Sequence, residues 1–153
     1  MKILVMSDSH GHKNVIQKAI ERESPELILH LGDNDRDCHV ITQNYPDIPL
    51  RSVRGNCDRS SSGLDIDEFT IDDCRFIMTH GHLYYVKTGY SRIISFASSR
   101  SADVLLFGHT HVPYFSVSGN LSIINPGSIG MDNKTYAVLE HKNGIVTCEH
   151  IYI

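Results

Sequence analysis

The chain has no tryptophan, no Cys-x-x-Cys pair and no run of basic residues. Its longest clean apolar runs, such as Val104-Leu105-Leu106-Phe107, extend four or five residues, far short of the roughly 20 needed to cross a bilayer. The N-terminal run Met1–Met6 reads at once as a strand. It is too short for the apolar part of a signal peptide, and no small-residue cleavage site follows. A cytoplasmic protein with no membrane partner is expected. The four cysteines, Cys38, Cys57, Cys74 and Cys148, lack both zinc-ribbon spacing and a secretory context, which argues against a disulfide framework or a thiolate metal site. Fourteen Lys and Arg face eighteen Asp and Glu, for a formal charge of −4, so there is no strong nucleic-acid-binding signal. Neither a P-loop nor G-x-S-x-G is present. With 41% hydrophobic and 21% charged residues among 153, the composition excludes disordered and fibrous classes and fits one domain over 1–153.

Histidine is what the chain has in excess, ten residues in all. Short apolar runs punctuated by turn residues predict strands at Lys2–Met6, Leu27–Leu31, Leu50–Val53, Glu68–Ile71, Arg75–Thr79 and Val104–Phe107. Further strands are expected at Tyr114–Val117, Leu121–Ile124, Thr135–Leu139 and Ile145–Ile151. Helical periodicity covers Lys13–Glu23 and Gly89–Arg100, with a short helix at Asp37–Asn44. Strand and helix alternate first and strands dominate later, which fits an α/β fold with a parallel core extended by antiparallel strands. There are more strand runs than one sheet holds comfortably, so two stacked sheets with helices outside are expected.

Five apolar runs are each followed by possible metal ligands: Asp8 and His10, then Asp33, then Asn56, then His80 (with His82), then His109 and His111. Each cluster carries a glycine, which permits the tight strand-to-loop turn such a placement needs. In α/β sheets ligands gather at the carboxyl ends of strands, so residues spread from 8 to 111 would converge in one crevice. Asp8, His10, Asp33, Asn56, His80, His109 and His111 are N and O donors without a thiolate. They suit Mn, Fe, Ni, Co or Zn, and they are too many for one ion with an open position.

Asp8-x-His10, Gly32-Asp33, Gly55-Asn56, His80-Gly81 and Gly108-His109-x-His111 resemble, in order, the five blocks of the calcineurin-like metallophosphoesterase superfamily. The small size and Arg54-Gly55-Asn56-Cys57-Asp58 resemble its small single-domain prokaryotic phosphodiesterase branch. The resemblance implies a four-layer α/β/β/α sandwich of two mixed sheets flanked by helices. It implies two divalent transition-metal ions, manganese first among them, with Asp8, His10, Asp33 and His111 on one and Asp33, Asn56, His80 and His109 on the other. Asp33 would bridge, Asp33 and Asn56 would serve catalysis as well as binding, and a metal-bridging hydroxide would attack a small phosphodiester in line. A homodimer or homotetramer is also implied as plausible. Two other readings stand beside it: a phosphomonoesterase or small protein phosphatase, and a non-catalytic scaffold, since one eukaryotic retromer subunit has this fold with a degraded metal site.

Two positions depart from the wider family pattern. Many members carry His directly after the asparagine, where it helps protonate the leaving group; here that place is Cys57. A second Asp often follows three residues after the Gly-Asp block; here that place is Arg36. The general acid is thereby left open, with His82, His12 and Asp58 as candidates. His82 is read as a catalytic or substrate-contacting residue or as a structural one, and His12 as a helix-start residue or a site residue. Arg54 is read as an ion-pair partner or a phosphate contact, and Cys57 as a small filler or a substrate-side residue. Asp58 is read as a turn residue or as the partner that orients a ligand histidine, and Asn125 as loop architecture or as support for the site. His30 lies inside a strand and is read as packing or as support for the site, while His39, His141 and His150 are expected at the surface.

Overall fold

Successive side chains of a strand point to opposite faces, so each buried strand has two apolar faces to cover. Along β1 (Lys2–Met6), Ile3 and Val5 enter one buried cluster while Leu4 and Met6 enter another. The computed structural model describes residues 1–153. After β1 come α1 (Lys13–Glu23), β2 (Leu27–His30), α2 (Cys38–Asn44) and β3 (Leu50–Ser52). The hairpin of β4 (Ile66–Ile71) and β5 (Cys74–Thr79) follows, then α3 (Ser91–Ser99) and β6 (Val104–Phe107). Two antiparallel pairs close the chain: β7 (Pro113–Ser118) with β8 (Leu121–Pro126), and β9 (Thr135–Lys142) with β10 (Ile145–Tyr152).

The strands form two five-stranded mixed sheets, ordered β10-β9-β1-β2-β3 and β4-β5-β6-β8-β7. β1, β2 and β3 run parallel in the first sheet, as do β5, β6 and β8 in the second. Ile3, Val5, Leu29, Phe76, Met78 and Leu106 fill the space between the sheets. Ile16, Ala19 and Ile20 of α1 and Ile41 of α2 cover the outer face of the first sheet. Ile93 and Ala97 of α3 cover the outer face of the second. The four expected layers are therefore present. No helix is long and apolar enough to cross a membrane.

The structure moves several element ends. β9 runs on through Glu140-His141-Lys142, because this polar end is paired with β1 on one side and β10 on the other. His141, expected at the surface, is buried. Its backbone exchanges hydrogen bonds with Met1, and its ring packs edge-on against Phe76 at 6.4 Å. His150 is half-buried, with Nε2 donating to the Asn125 carbonyl at 2.7 Å, whereas His39 is exposed. The expected helix at Gly89–Arg100 begins only at Ser91, because Gly89 holds φ 142°, outside helical geometry.

Candidate metal centre

Loops leaving the carboxyl ends of β1, β2, β3, β5 and β6 carry all seven candidate ligands. Five of them, Asp8, His10, Asp33, His109 and His111, hold φ between 43° and 69°. Side chains other than glycine seldom adopt this left-handed region; each such residue costs on the order of 1–3 kcal/mol and persists only where its surroundings dictate it. Tertiary hydrogen bonds supply the constraint. Asp8 N–H donates to the Gly32 carbonyl at 2.9 Å, and the Asp8 carbonyl accepts from Ser128 Oγ at 2.9 Å and Gly130 N–H at 3.3 Å.

The ligand atoms assemble into two groups, Asp8 with His10 and His111, and Asp33 with His80 and His109. Within each group, one atom from every residue lies within 4.8 Å of the others. Asn56 joins the second group, its Oδ1 3.1 Å from His80 Nε2, which is also 3.2 Å from His109 Nδ1 and 3.4 Å from Asp33 Oδ2. The groups lie side by side, since His80 Nε2 is 3.9 Å from Asp8 Oδ1. Asp33 falls in the second group and not in the first.

Asp8 tests whether cations fit here. Its buried Oδ2 accepts from Ser7 Oγ at 2.5 Å and from His109 N–H at 3.1 Å. Its equally buried Oδ1 has no hydrogen-bond partner, although His111 Nε2 stands 3.2 Å away. A buried carboxylate oxygen without a donor is costly, and a cation would satisfy it. The donor set, with carboxylate, imidazole and amide groups and no thiolate, suits divalent transition metals. The residues present therefore fit the ions.

Two of the candidate ligand rings are held by their other nitrogen. His80 Nδ1 donates to the Leu31 carbonyl at 2.8 Å, leaving Nε2 to face the site. His111 Nδ1 donates to Asp132 Oδ2 at 2.9 Å, leaving Nε2 towards Asp8. Such partners orient a metal-binding imidazole. Asp132 was not legible as a candidate, for it lies on a different loop far along the chain.

The electrostatics point the same way. The Asp8 carboxylate 3.2 Å away, seconded by Asp132, pushes His111 up to about 9 despite burial. Burial opposes charge on His80, yet Asp33 and Asp8 more than offset it and raise its pKa. Burial and the neighbouring His80 push His109 down to about 4. Burial also opposes the Asp33 carboxylate, but His80 and the Cys57 N–H hold it well below the usual range. The carboxylates thus draw positive charge into the crevice, which protons supply where cations do not.

The remaining candidates fall around these groups. Asp58 orients no histidine ring. Its buried carboxylate accepts from the backbone N–H of Asp33, Asn34, Asp35 and Gly55 at 2.8–3.0 Å and so ties two ligand loops together. Arg54 is held in a two-point pair with Asp65 at 2.7 and 3.1 Å and also donates to the Ser61 carbonyl. Cys57 N–H donates to Asp33 Oδ1 at 2.8 Å, while burial and Asp33 push its thiol up to about 11. His82 is half-buried, its ring 5.5 Å from His80 and 6.2 Å from His109, and its buried Nδ1 has no partner. His12 joins neither ligand group; its Nδ1 bonds the Ser9 carbonyl at 3.0 Å. Asn125 grips the His109 loop through Gly108 O and Thr110 Oγ1, both at 3.0 Å.

A second supporting network runs through His30 to a residue that sequence reasoning did not single out. Buried His30 accepts from Gly32 N–H at Nδ1, so its Nε2–H faces Ser9 Oγ at 3.1 Å. Ser9 donates in turn to Asp37 Oδ2 at 2.8 Å, which also takes the Gly11 N–H and the Asn34 amide. His30 was legible as a strand residue that packs or supports the site, but nothing in the spacing singled out Asp37.

Residues 1–144 match the family model described as the calcineurin-like phosphoesterase superfamily domain. A protein of Bacillus subtilis described as a probable metallophosphoesterase is 32% identical, the match covering 96% of this chain and 88% of that one. A phosphodiesterase of Methanocaldococcus jannaschii is 32% identical over 83% of each chain. The fold also matches Vps29 of Entamoeba histolytica, solved with zinc, at a TM-score of 0.77 and 19% identity over 99% of each chain. The chain belongs to the calcineurin-like phosphoesterase superfamily, as a metal-dependent hydrolase of phosphoester bonds.

Proposed function

We propose that the chain is a phosphodiesterase that works with two divalent ions, manganese first among the candidates. The observation that carries this reading is the pair of adjacent ligand groups, joined through the 3.9 Å approach of His80 to Asp8. Bound there, two such ions would neutralise phosphate oxygens and supply an activated water. The chain's own residues do the rest. Asp8, His10 and His111 would hold one ion, and Asp33, Asn56, His80 and His109 the other, with Asp33 shared. Leu31 and Asp132 keep the His80 and His111 rings aimed, and Asp58 keeps the two loops in register. Cys57 stands after Asn56 with its proton tightly held, so no histidine at this place assists a poor leaving group. Aryl diesters should therefore react much faster than unactivated alkyl monoesters. The four free thiols fit a reducing, cytoplasmic setting.

The non-catalytic reading draws on the likeness to Vps29, which is one of fold. A complete donor set around the unpartnered Asp8 Oδ1 favours catalysis. The test is metal stripping and reloading, followed by elemental analysis and turnover of bis-p-nitrophenyl phosphate. Two ions per chain with metal-dependent turnover are expected. Saturation at one ion would overturn the two-ion reading, and a loaded but inert protein would favour the scaffold.

A further inference from the structure

Beside the metal centre a groove of about 960 Å³ runs between α2 and the loop that follows β3. None of the seven candidate ligands lines it; Asn34 and Cys57, which follow Asp33 and Asn56 in the chain, line one part, while Tyr45, Pro46, Ile48 and Pro49 line another. The space lies at the upper end of what small-ligand sites occupy, ~300–1,000 Å³, and exceeds what a bare phosphate needs.

The charged groups on its wall are not equivalent. Asp58 is engaged by four backbone N–H groups, and Asp35 is taken by Ser61 Oγ. Arg36 is exposed and forms no ion pair; its side chain has one partner, Ser60 Oγ, at 3.4 Å. Arg22, Arg51, Arg54, Arg75 and Arg100 each pair with a carboxylate, and Arg59 and Arg92, which do not, lie off the groove. His39, three residues after Arg36, is a further exposed donor on the wall. Asp58 and one oxygen of Asp35 are thus engaged, while Arg36 is the groove's one guanidinium without a carboxylate partner. An unpaired guanidinium binds an anion, and it matches phosphate by paired hydrogen bonds. The aromatic and proline surfaces farther along suit a flat, weakly polar body.

We propose that this groove is a subsite for one arm of the diester, a nucleoside-like arm bearing a second phosphate, with Arg36 as the residue that binds that phosphate. The proposal rests on the phosphodiesterase reading and narrows its substrate class.

The experiment has two readouts on manganese-loaded protein. The first is the ratio of kcat/KM for the 5′-p-nitrophenyl ester of thymidine 3′,5′-bisphosphate to that for the same ester without the 3′-phosphate. The second is the ratio of calorimetric Kd values for thymidine 5′-monophosphate and thymidine 3′,5′-bisphosphate. Each ratio should favour the second phosphate by on the order of ten-fold, the scale of a charge-assisted hydrogen bond at a partly exposed site. Arg36→Ala should bring both ratios to about one, and Arg36→Lys should keep part of the preference. Arg36 has no structural ion pair to lose, so both variants are expected to fold. Ratios of one in the wild type, or ratios unchanged by Arg36→Ala, would overturn the subsite. An Arg36-dependent binding ratio without cleavage of any diester would uphold the anion subsite and overturn the phosphodiesterase reading. Cleavage without a ratio would do the reverse.

Discussion

The two ends of the sheets use the same unusual backbone conformation for different ends. At one end lie the hairpin turns, where Asp72, Gly119, Asn143 and Gly144 hold positive φ. A Cβ at Gly119 or Gly144 would meet nothing within 4 Å. At the other end, Asp8, His10, Asp33, His109 and His111 hold positive φ within the candidate centre. There a Cβ at Gly108 would overlap Ser7 Oγ and lie 3.0 Å from Asp8 Oδ2, and a Cβ at Gly55 would lie 2.6 Å from Asp33 N. Residue choice alone accounts for the hairpin end, because Asn, Asp and Gly tolerate left-handed geometry. At the site end Asp8, Asp33 and His109 are held there by hydrogen bonds from other loops, so the strain belongs to the assembled fold.

The sharpest way to break this comparison is one methyl group at each end. Gly108→Ala should cost about 3 kcal/mol or more through overpacking and abolish metal loading. Gly119→Ala should cost ~1–2 kcal/mol for left-handed geometry and leave loading intact. Urea melts and elemental analysis of the two variants decide it, and equal effects would show that crowding at the site is unimportant.

Charge comes next. Asp33→Asn should lower metal occupancy and activity more than Asn56→Ala, since the proposed bridge touches both ions. Equal damage in two folded variants would refute the sharing. Asp58→Ala leaves four backbone donors without their acceptor, so a loss of roughly 3 kcal/mol is expected. Metal affinity should fall by ~10–100-fold, as when the support of a ligand is removed, read by competition with a chelator. Unaltered affinity would mean that the two loops hold their register without it.

The smallest effect is expected at Asp132, whose side chain is exposed. Asp132→Ala should weaken metal binding by no more than ~10-fold. It also sharpens a pH prediction. In metal-free protein the His111 pKa is raised from 6.5 to about 9. The stabilisation from that proton is complete below pH 6.5 and is lost as pH rises through 9. In the proposed centre an ion takes the place of the same proton, so binding should release it and weaken as pH falls below about 9. NMR titration of the His111 ring should show a lower pKa in Asp132→Ala, and an unmoved titration would remove Asp132 from the account.

The buried strands were legible because period-two and continuous apolar runs report burial directly, and β1 and β6 keep their expected bounds. The polar tail of β9 was not, because Glu140 and Lys142 are held by pairing with neighbouring strands and not by their own preference. His141 was misplaced for the same reason: its burial comes from Phe76 and the chain start, which no local pattern encodes. Among site residues, Asp8, His10, His109 and His111 could be picked out because each sits beside a glycine or another ligand just past an apolar run. Asp37 and Asp132 could not, as each does its work on a loop remote in sequence.

By itself the sequence determined which residues could ligate, that they follow strand ends, and that N and O donors without thiolate would set the chemistry. Family resemblance implied that these donors divide between two ions; only the tertiary structure decided that the two groups lie side by side, that Asp58 joins two of the loops, and that Arg54 is ion-paired while Arg36 is not. The physical reason is range. Apolar periodicity and turn preference act between near neighbours, whereas hydrogen bonds such as Ser128 to Asp8, spanning 120 residues, exist only once both sheets have packed.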